Sequence, residues 1–294
     1  MPYFSVIIPV YNRYHSAKSA IESVLYQNFT DHEVIVVDDG SSDSTPLLAE
    51  EYGKSIRYVR QEHSGVSAAR NRGIAMSGSE HVAFLDSDDT WQNNKLSSHK
   101  QYIETNPGVL IHQTEETWMR NSKRVNPKII HRKRSGKIFI DSLALCLISP
   151  SASVLHRSLF DLYGLFDEAL PACEDYDLWL RITPFEDVGL IQRELITRNA
   201  GHPDQLSAIH PAMDRFRVYA IIKLLCSRQH QLPKMYAEAA RSTAMGKCSI
   251  LLNGAIKRNN HVFAENIRGV IRQIRDGDCS SKDYLNLAKS EDYL

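Results

Sequence analysis

Residues 33–46 read EVIVVDDGSSDSTP. Four β-branched residues in a row, Val34 to Val37, stop at two aspartates and a glycine. An apolar run without polar alternation is what a strand covered on both faces requires. Gly40 permits a tight turn, and the following Ser and Asp residues are natural helix-capping groups. Pro46, after Ser44 and Thr45, stands where the first turn of a helix accepts proline. The stretch therefore reads as a buried strand, a polar strand end and a helix start.

Working outward, the first 117 residues repeat that texture. Short β-branched runs occur at Phe4–Pro9, Glu33–Asp38, Ile56–Arg60, Val82–Asp86 and Val109–His112. Segments with helical spacing lie between them, at His15–Tyr26, Pro46–Tyr52, Val66–Met76 and Asn93–Thr105. Strand–helix alternation of this kind predicts an α/β fold with a mainly parallel central sheet flanked by helices. In such a sheet ligands bind beyond the carboxyl ends of the strands. Polar residues collect there: Tyr11 and Asn12 after the first strand, Asp38-Asp39-Gly40 after the second, Asp86-Ser87-Asp88 after the fourth. The pattern predicts one site assembled from several loops.

Residues 118–137 are polar and basic and read as a connection between elements. Mixed structure is expected from 138 to about 200, with short apolar segments at Leu143–Ile148 and Ser153–His156, a helix start in CEDYDLWLRI and a short strand near Val188–Ile191. Helical patterns follow at Met213–Arg228, Lys234–Leu252 and Val262–Arg275.

The 294 residues carry 35 Lys plus Arg against 35 Asp plus Glu, a balance that argues against a nucleic-acid partner. Arg120, Lys123, Arg124, Lys128, Arg132, Lys133, Arg134 and Lys137 nevertheless follow one another without an acid. A run of this kind is either a solvated loop or a surface for an acceptor or for anionic lipid headgroups. The five cysteines are scattered with no C-x-x-C pair, which suits a reducing compartment and argues against a zinc site or a disulfide framework. There is no basic leader before the first apolar run and no uncharged apolar stretch long enough to span a bilayer. A cytoplasmic protein is expected, with peripheral contact at the inner face of the membrane through 120–137 left open.

Three segments carry chemistry. Asp38 and Asp39 either cap the turn that follows them or accept hydrogen bonds from a base or a ribose. In SGVSAARNRGI, Ala68, Ala69 and Gly73 let a helix approach the sheet, and Arg70 near its N-terminus offers donors to an anion, whereas Arg72 reads as solvated. In FLDSDD, Asp86 and Asp88 bring two carboxylates within reach of one divalent cation. Mg²⁺ and Mn²⁺ prefer such oxygens, and a bound cation would relieve the repulsion among the acids. The structural alternative is a loop whose Asp89 caps the next helix.

SVIIPVYNR, VIVVDDGSSDST, GVSAARNRGI, FLDSDD and EDYDLWLR occur in this order. Together, over about residues 4–207, the chain closely resembles the family 2 glycosyltransferases of GT-A fold. The resemblance implies inverting, metal-dependent transfer from a nucleotide-diphosphate sugar, with Mn²⁺ or Mg²⁺ as cofactor. UDP leads over dTDP and GDP. The acceptor is expected to be a glycan, a lipid-linked saccharide or another hydroxyl compound, in the building of cell-surface polysaccharide or glycolipid.

Residue by residue, the resemblance implies that Pro9, Val10 and Tyr11 form the wall under the nucleobase. It puts Asp39 on the base or ribose with Asp38 beside it, and Arg70 and Asn71 in the nucleotide pocket. Asp86 and Ser87 would face the ribose and the metal shell, Asp88 would be the direct metal ligand, and Asp89 would support the loop. Asp175 would be the general base, with Glu174 at the acceptor side or orienting it, and Asp177 would pack. His202 would lie near the metal and diphosphate, with Arg198 on the same loop able to bind phosphate. A catalytic region at 1–210 is expected, with a donor half at 1–117 and an acceptor half at 118–210. Helices at 211–294 would pack on it, mediate a homodimer or shape the acceptor groove.

A Rossmann dehydrogenase is set aside, because its glycine-rich turn is missing after the first strand. A nucleotidyltransferase also uses acidic metal ligands, but leaves the Glu174-Asp175 helix start unexplained. A catalytically silent nucleotide-sugar-binding scaffold is the alternative from another class.

Overall fold

A computed structural model describes residues 1–121, 123–201, 209–228, 231–279 and 283–289. The chain divides into two packing units. The first comprises Met1–Lys137, Leu147–Glu168 and Phe185–His202, and the second comprises Ile138–Cys146, Ala169–Pro184 and Pro203–Leu294. Along the chain the elements are β1 (Phe4–Val10), α1 (Tyr14–Leu25), β2 (His32–Asp38), α2 (Leu48–Tyr52), β3 (Arg57–Arg60), α3 (Val66–Met76), β4 (His81–Phe84), β5 (Thr90–Trp91) and α4 (Lys95–Thr105). They continue with β6 (Ile111–Arg120), β7 (Lys123–Val125), α5 (Phe139–Ala144), β8 (Ser153–His156), α6 (Ser158–Tyr163), α7 (Glu174–Ile182) and β9 (Val188–Ala200). Three longer helices, Asp214–Arg228, Lys234–Lys257 and His261–Asp276, follow.

The first unit is an α/β layer structure on one sheet, ordered β3-β2-β1-β4-β8-β6-β9-β5 with β7 on β6. β3, β2, β1 and β4 run parallel, with Ile7 opposite both Ile35 and Phe84. Every residue of β1 is buried, as its unbroken apolar run requires. α3 packs on β1 and β2. A Cβ on Gly73 would lie 2.4 Å from Ile7 Cγ2, so only glycine lets this helix sit where it does. Past β4 the sheet becomes mixed: β8 is antiparallel to β4 and β6, β6 and β9 are parallel, and β5 and β7 run antiparallel to their neighbours.

Two expectations are corrected here. The basic segment after 117 is not simply a connection, because β6 continues to Arg120 and turns through Asn121 into β7, with Trp118 opposite Val125. Pairing with β9 and β7 supplies backbone bonds that its polar side chains do not advertise. The strand expected near 188–191 likewise runs to Ala200, paired with β6 across register shifts at Thr114, Glu115 and Glu116. A shift of that kind interrupts the alternation by which a strand is recognised.

The core between α4 and β6 contains a buried polar chain. Lys95 Nζ lies 2.7 Å from His99 Nε2, donates to Ala152 O at 3.1 Å and sits over the Trp91 ring. His99 Nδ1 in turn meets His112 Nδ1 at 2.7 Å. Burial pushes all three groups below their ordinary values, His112 to about 3.

The second unit is helical. α5 packs on Lys234–Lys257 and α7 on Asp214–Arg228, while Lys234–Lys257 packs on both of its long neighbours. α7 buries Tyr176, Leu178, Trp179, Leu180 and Ile182. Asp177, expected to pack, is buried with Arg181 at 2.8 Å and Lys223 at 3.1 Å. Asn260 caps His261–Asp276 by accepting from Phe263 N at 3.0 Å, and Gly277, at φ 65°, ends that helix. No helix among the described residues is long and apolar enough to cross a membrane.

Candidate active site

The carboxyl ends of β1 and β2 are tied together by side chains in their loops. Asn12 N donates to Ser41 Oγ at 2.8 Å, and Asn12 Oδ1 accepts from Ser42 N at 2.7 Å. Asp38 is wholly buried. It accepts from Ser41 N at 2.8 Å and from the Tyr58 hydroxyl at 2.5 Å, so it braces the loop. Asp39 accepts from Gln61 Nε2, Ser64 N and Gly65 N at 2.8–2.9 Å, which ties the β2 end to the start of α3. His63 Nδ1 lies 2.8 Å from the same carboxylate. The His63 ring stacks on Tyr11 with centroids 4.1 Å apart, and Tyr11 is exposed. Pro9 and Val10 are the buried last residues of β1, just before Tyr11.

The acidic loop after β4 is held from below. Asp89, only 4% exposed, accepts from Ser151 Oγ at 2.7 Å and from Asn199 N at 3.0 Å. Ser151 Oγ also accepts from Asp86 N at 3.1 Å, and Asn199 Nδ2 donates to Asp88 O at 2.8 Å. Burial, reinforced by Asp88 and Asp86, pushes the Asp89 carboxyl well above the usual range. Asp86 and Asp88 instead stand at a partly exposed edge, each beside an arginine. Arg70 meets Asp86 at 2.7 Å and Arg13 meets Asp88 at 2.8 Å. Ser87 between them is buried. Arg70 is itself buried, under the Phe166 ring, and Arg72 is exposed. Asn71, expected in the nucleotide pocket, is buried and donates to Phe166 O and Glu168 Oε1 while accepting from Phe166 N.

Among the described residues, no three His, Cys, Asp or Glu side chains gather as a ready-made metal site. The donor set still fits a hard cation. Mg²⁺ and Mn²⁺ take carboxylate oxygens, and Mg²⁺ is commonly held by one or two carboxylates with water and substrate phosphates completing its shell. His202 lies outside the described residues. Arg198, expected on a loop where it could bind phosphate, instead lies within β9, over the Trp118 ring and 3.9 Å from Glu116. Glu116 is buried and takes bonds from Lys133, Ser149 and Trp118. Burial would raise its carboxyl, but the charges of Lys133 and Arg198 outweigh that and hold it at about 2. A cavity of about 240 Å³ opens beside it, bordered by Trp118, His131, Arg132 and Lys133.

Asp175 and Glu174 belong to the second unit, in the first turn of α7. Glu174 is buried and Asp175 half-buried. Cys173, which precedes them, has left-handed backbone at φ 63°. Asp175 Oδ1 accepts from Tyr176 N at 2.6 Å, and the Cys146 thiol lies 3.4 Å from Oδ2. Burial pushes the Cys173 thiol up to about 12, so it stays protonated.

Sequence reasoning assigned no role to Arg13, His63, Glu116, Ser151 or Asn199. Arg13 stands inside a quoted motif and Asn199 beside Arg198, but nothing local marks either as a partner of the acidic loop.

A family model described as glycosyl transferase family 2 matches residues 5–164. The chain is 34% identical over 194 residues to an uncharacterized glycosyltransferase of Rickettsia felis, covering 65% of this chain and 32% of that protein. The chain thus spans about a third of the length of this relative. It is 33% identical to the Escherichia coli UDP-Glc:alpha-D-GlcNAc-diphosphoundecaprenol beta-1,3-glucosyltransferase WfgD, covering 64% of this chain and 72% of WfgD. Among solved structures, S. aureus TarS 1-349 in complex with UDP-GlcNAc superposes with a TM-score of 0.63 at 17% identity, covering 98% of this chain and 91% of that one. This likeness identifies the fold as GT-A.

Proposed function

The chain belongs to glycosyl transferase family 2, and from that premise we propose that it transfers a sugar, with inversion, from a nucleoside-diphosphate sugar to a hydroxyl acceptor. The observation that carries the reading is the acidic loop. Asp86 and Asp88 are held at the sheet's carboxyl edge by a buried third acid, beside two arginines. A uridine nucleotide is the favoured donor, in keeping with the names of WfgD and of the TarS complex. The lipid-linked saccharide in WfgD's name makes a glycan or lipid-linked acceptor, and cell-surface polysaccharide or glycolipid synthesis, the favoured setting.

In this reading residues 1–117 hold the donor. The nucleobase packs on the Tyr11–His63 pair above Pro9 and Val10, with Asp39 and its brace Asp38 at the edge of that surface. Arg13 and Arg70 offer guanidinium groups to the diphosphate, a geometry suited to phosphate oxygens. Asp86 and Asp88, flanking Ser87, are the residues that would hold Mn²⁺ or Mg²⁺. Such a cation offsets the negative charge that grows on the departing diphosphate. Asn71 acts indirectly, by fixing the segment around Phe166 that covers Arg70.

The acceptor half is assigned to 118–210. As the acceptor oxygen bonds to the anomeric carbon, the bond to the diphosphate oxygen breaks and the hydroxyl proton passes to the Asp175 carboxylate. A positioned base of this kind contributes about 10²–10⁴-fold. Glu174 orients that region.

The test is nucleoside-diphosphate release from a panel of nucleotide sugars with Mn²⁺, with and without acceptor glycans. Asp175→Asn is expected to lose about 10²-fold or more in transfer while keeping donor affinity. Asp88→Ala is expected to weaken metal-dependent donor binding by calorimetry. Wild-type turnover in the first variant, or unchanged affinity in the second, would overturn the corresponding assignment. No release with any donor would favour a silent binding protein.

A further inference from the structure

Beyond the β6–β7 hairpin the chain makes a short turn, Ile129–His131, that carries two adjacent apolar side chains into solvent. Ile129 is 90% and Ile130 63% exposed. Most isolated surface apolar residues need no explanation, but two neighbours at the tip of a turn inside a basic segment do. Lys123, Lys128 and Arg132 around them are exposed. Among the described residues the acids that meet this segment are Glu194 facing Arg124, Asp187 facing Lys137, Glu116 facing Lys133, and Glu115, whose charge acts on Lys133 and Arg132. Against these four acids the segment sets Lys123, Arg124, Lys128, Arg132, Lys133, Arg134 and Lys137, so positive charge remains in excess. His131 and Lys133 turn the other way, onto Trp118 and Glu116, and so anchor the turn to β6.

An apolar tip ringed by cations matches one environment well. The interface of an anionic bilayer has acyl chains at the depth of the tip and phosphate groups at the depth of the ring. We propose that residues 128–134 form a membrane-docking turn, with Ile129 and Ile130 entering the interface of an anionic bilayer and Lys123, Lys128 and Arg132 resting on lipid phosphates. The occupant is committed by charge complementarity. The surface lies within the first unit, and its function as a dock does not depend on which sugar is transferred or on whether transfer occurs.

The experiment is co-sedimentation of the whole chain with vesicles of phosphatidylcholine alone and of equal parts phosphatidylcholine and phosphatidylglycerol. Wild type is expected to sediment with the mixed vesicles and not with the neutral ones. Partitioning should fall as salt is raised from about 0.1 M to about 1 M, where the screening length drops from about 10 to about 3 Å. The paired change Ile129→Ser and Ile130→Ser should lower the partition coefficient by at least about tenfold. Lys128→Glu with Arg132→Glu should lower it by at least about fivefold per residue. Thermal melting and hydrolysis of the donor, both expected at wild-type values in the isoleucine variant, separate lost docking from lost folding. Failure of wild type to sediment, equal binding to neutral vesicles, or undiminished binding of the isoleucine variant would each overturn the proposal.

Discussion

Three aspartates within four residues are tolerated because their surroundings divide the work among them. Asp86 and Asp88 keep one arginine each at an open edge, whereas Asp89 lies inside, between Ser151 and Asn199, with its carboxyl pushed up by burial. A carboxyl held neutral and a carboxamide have nearly the same shape, and the Ser151 hydroxyl can rotate to donate or accept. Asp89→Asn is therefore expected to change folding stability by less than about 1 kcal/mol, and Asp89→Ala to cost about 1–3 kcal/mol through the unsatisfied Asn199 N–H. Urea unfolding checks both, and an Asn variant as damaged as the Ala variant would mean that Asp89 is charged in the fold. At this scale the sequence showed which acids crowd together, because they are neighbours in the chain. It did not show what holds them. Ser151 and Asn199 reach the loop from β8's approach and from the end of β9, and a serine and an asparagine far along the chain carry no mark of that service. His63 was hidden for the same reason, since its stacking on Tyr11 exists only once β1 and the segment after β3 lie side by side.

At the scale of elements, the α3–β1 contact is set by one missing side chain. Gly73→Ala places a methyl 2.4 Å from Ile7 Cγ2, against a branched side chain that is itself buried. Either α3 lifts or Ile7 leaves its rotamer. The expected cost is about 1–3 kcal/mol, read as a lowered urea midpoint. Because Arg70 rides on α3 beside Asp86, weaker donor binding is expected alongside. The strands of the parallel block were legible because burial on both faces leaves an unbroken apolar run. β6 and β9 were legible only in part. Their far halves, from Glu115 and from Glu194, carry charged residues, pair across a register shift and contain no period that a strand template recognises.

For the molecule as a whole, pH acts on buried groups whose titration the fold displaces. Lys95, His99 and His112 are buried together, and burial lowers each of them. A histidine whose folded value lies below its unfolded one leaves the unfolded chain holding more protons in between. Its stabilising contribution is complete above about 6.5 and is lost as pH falls toward about 3. Glu116 works in the same direction at lower pH, since its folded value of about 2 lies below the ordinary carboxyl value. The melting temperature is expected to fall steadily from pH 7 to pH 4, and less steeply in His112→Gln. A flat profile, or an unchanged slope in that variant, would contradict the buried neutral chain.

The two packing units also exchange the chain repeatedly, at 137, 146, 168, 184 and 202. During synthesis the ribosome must therefore release the chain as far as Ala200 before β9 can join its sheet in full. By then α5 and α7 have already emerged, while the helices that cover them, Lys234–Lys257 and Asp214–Arg228, are still to be made or only beginning. The nascent protein carries their bare apolar faces for that interval, and transiently exposed apolar surface of this kind is what a chaperone covers.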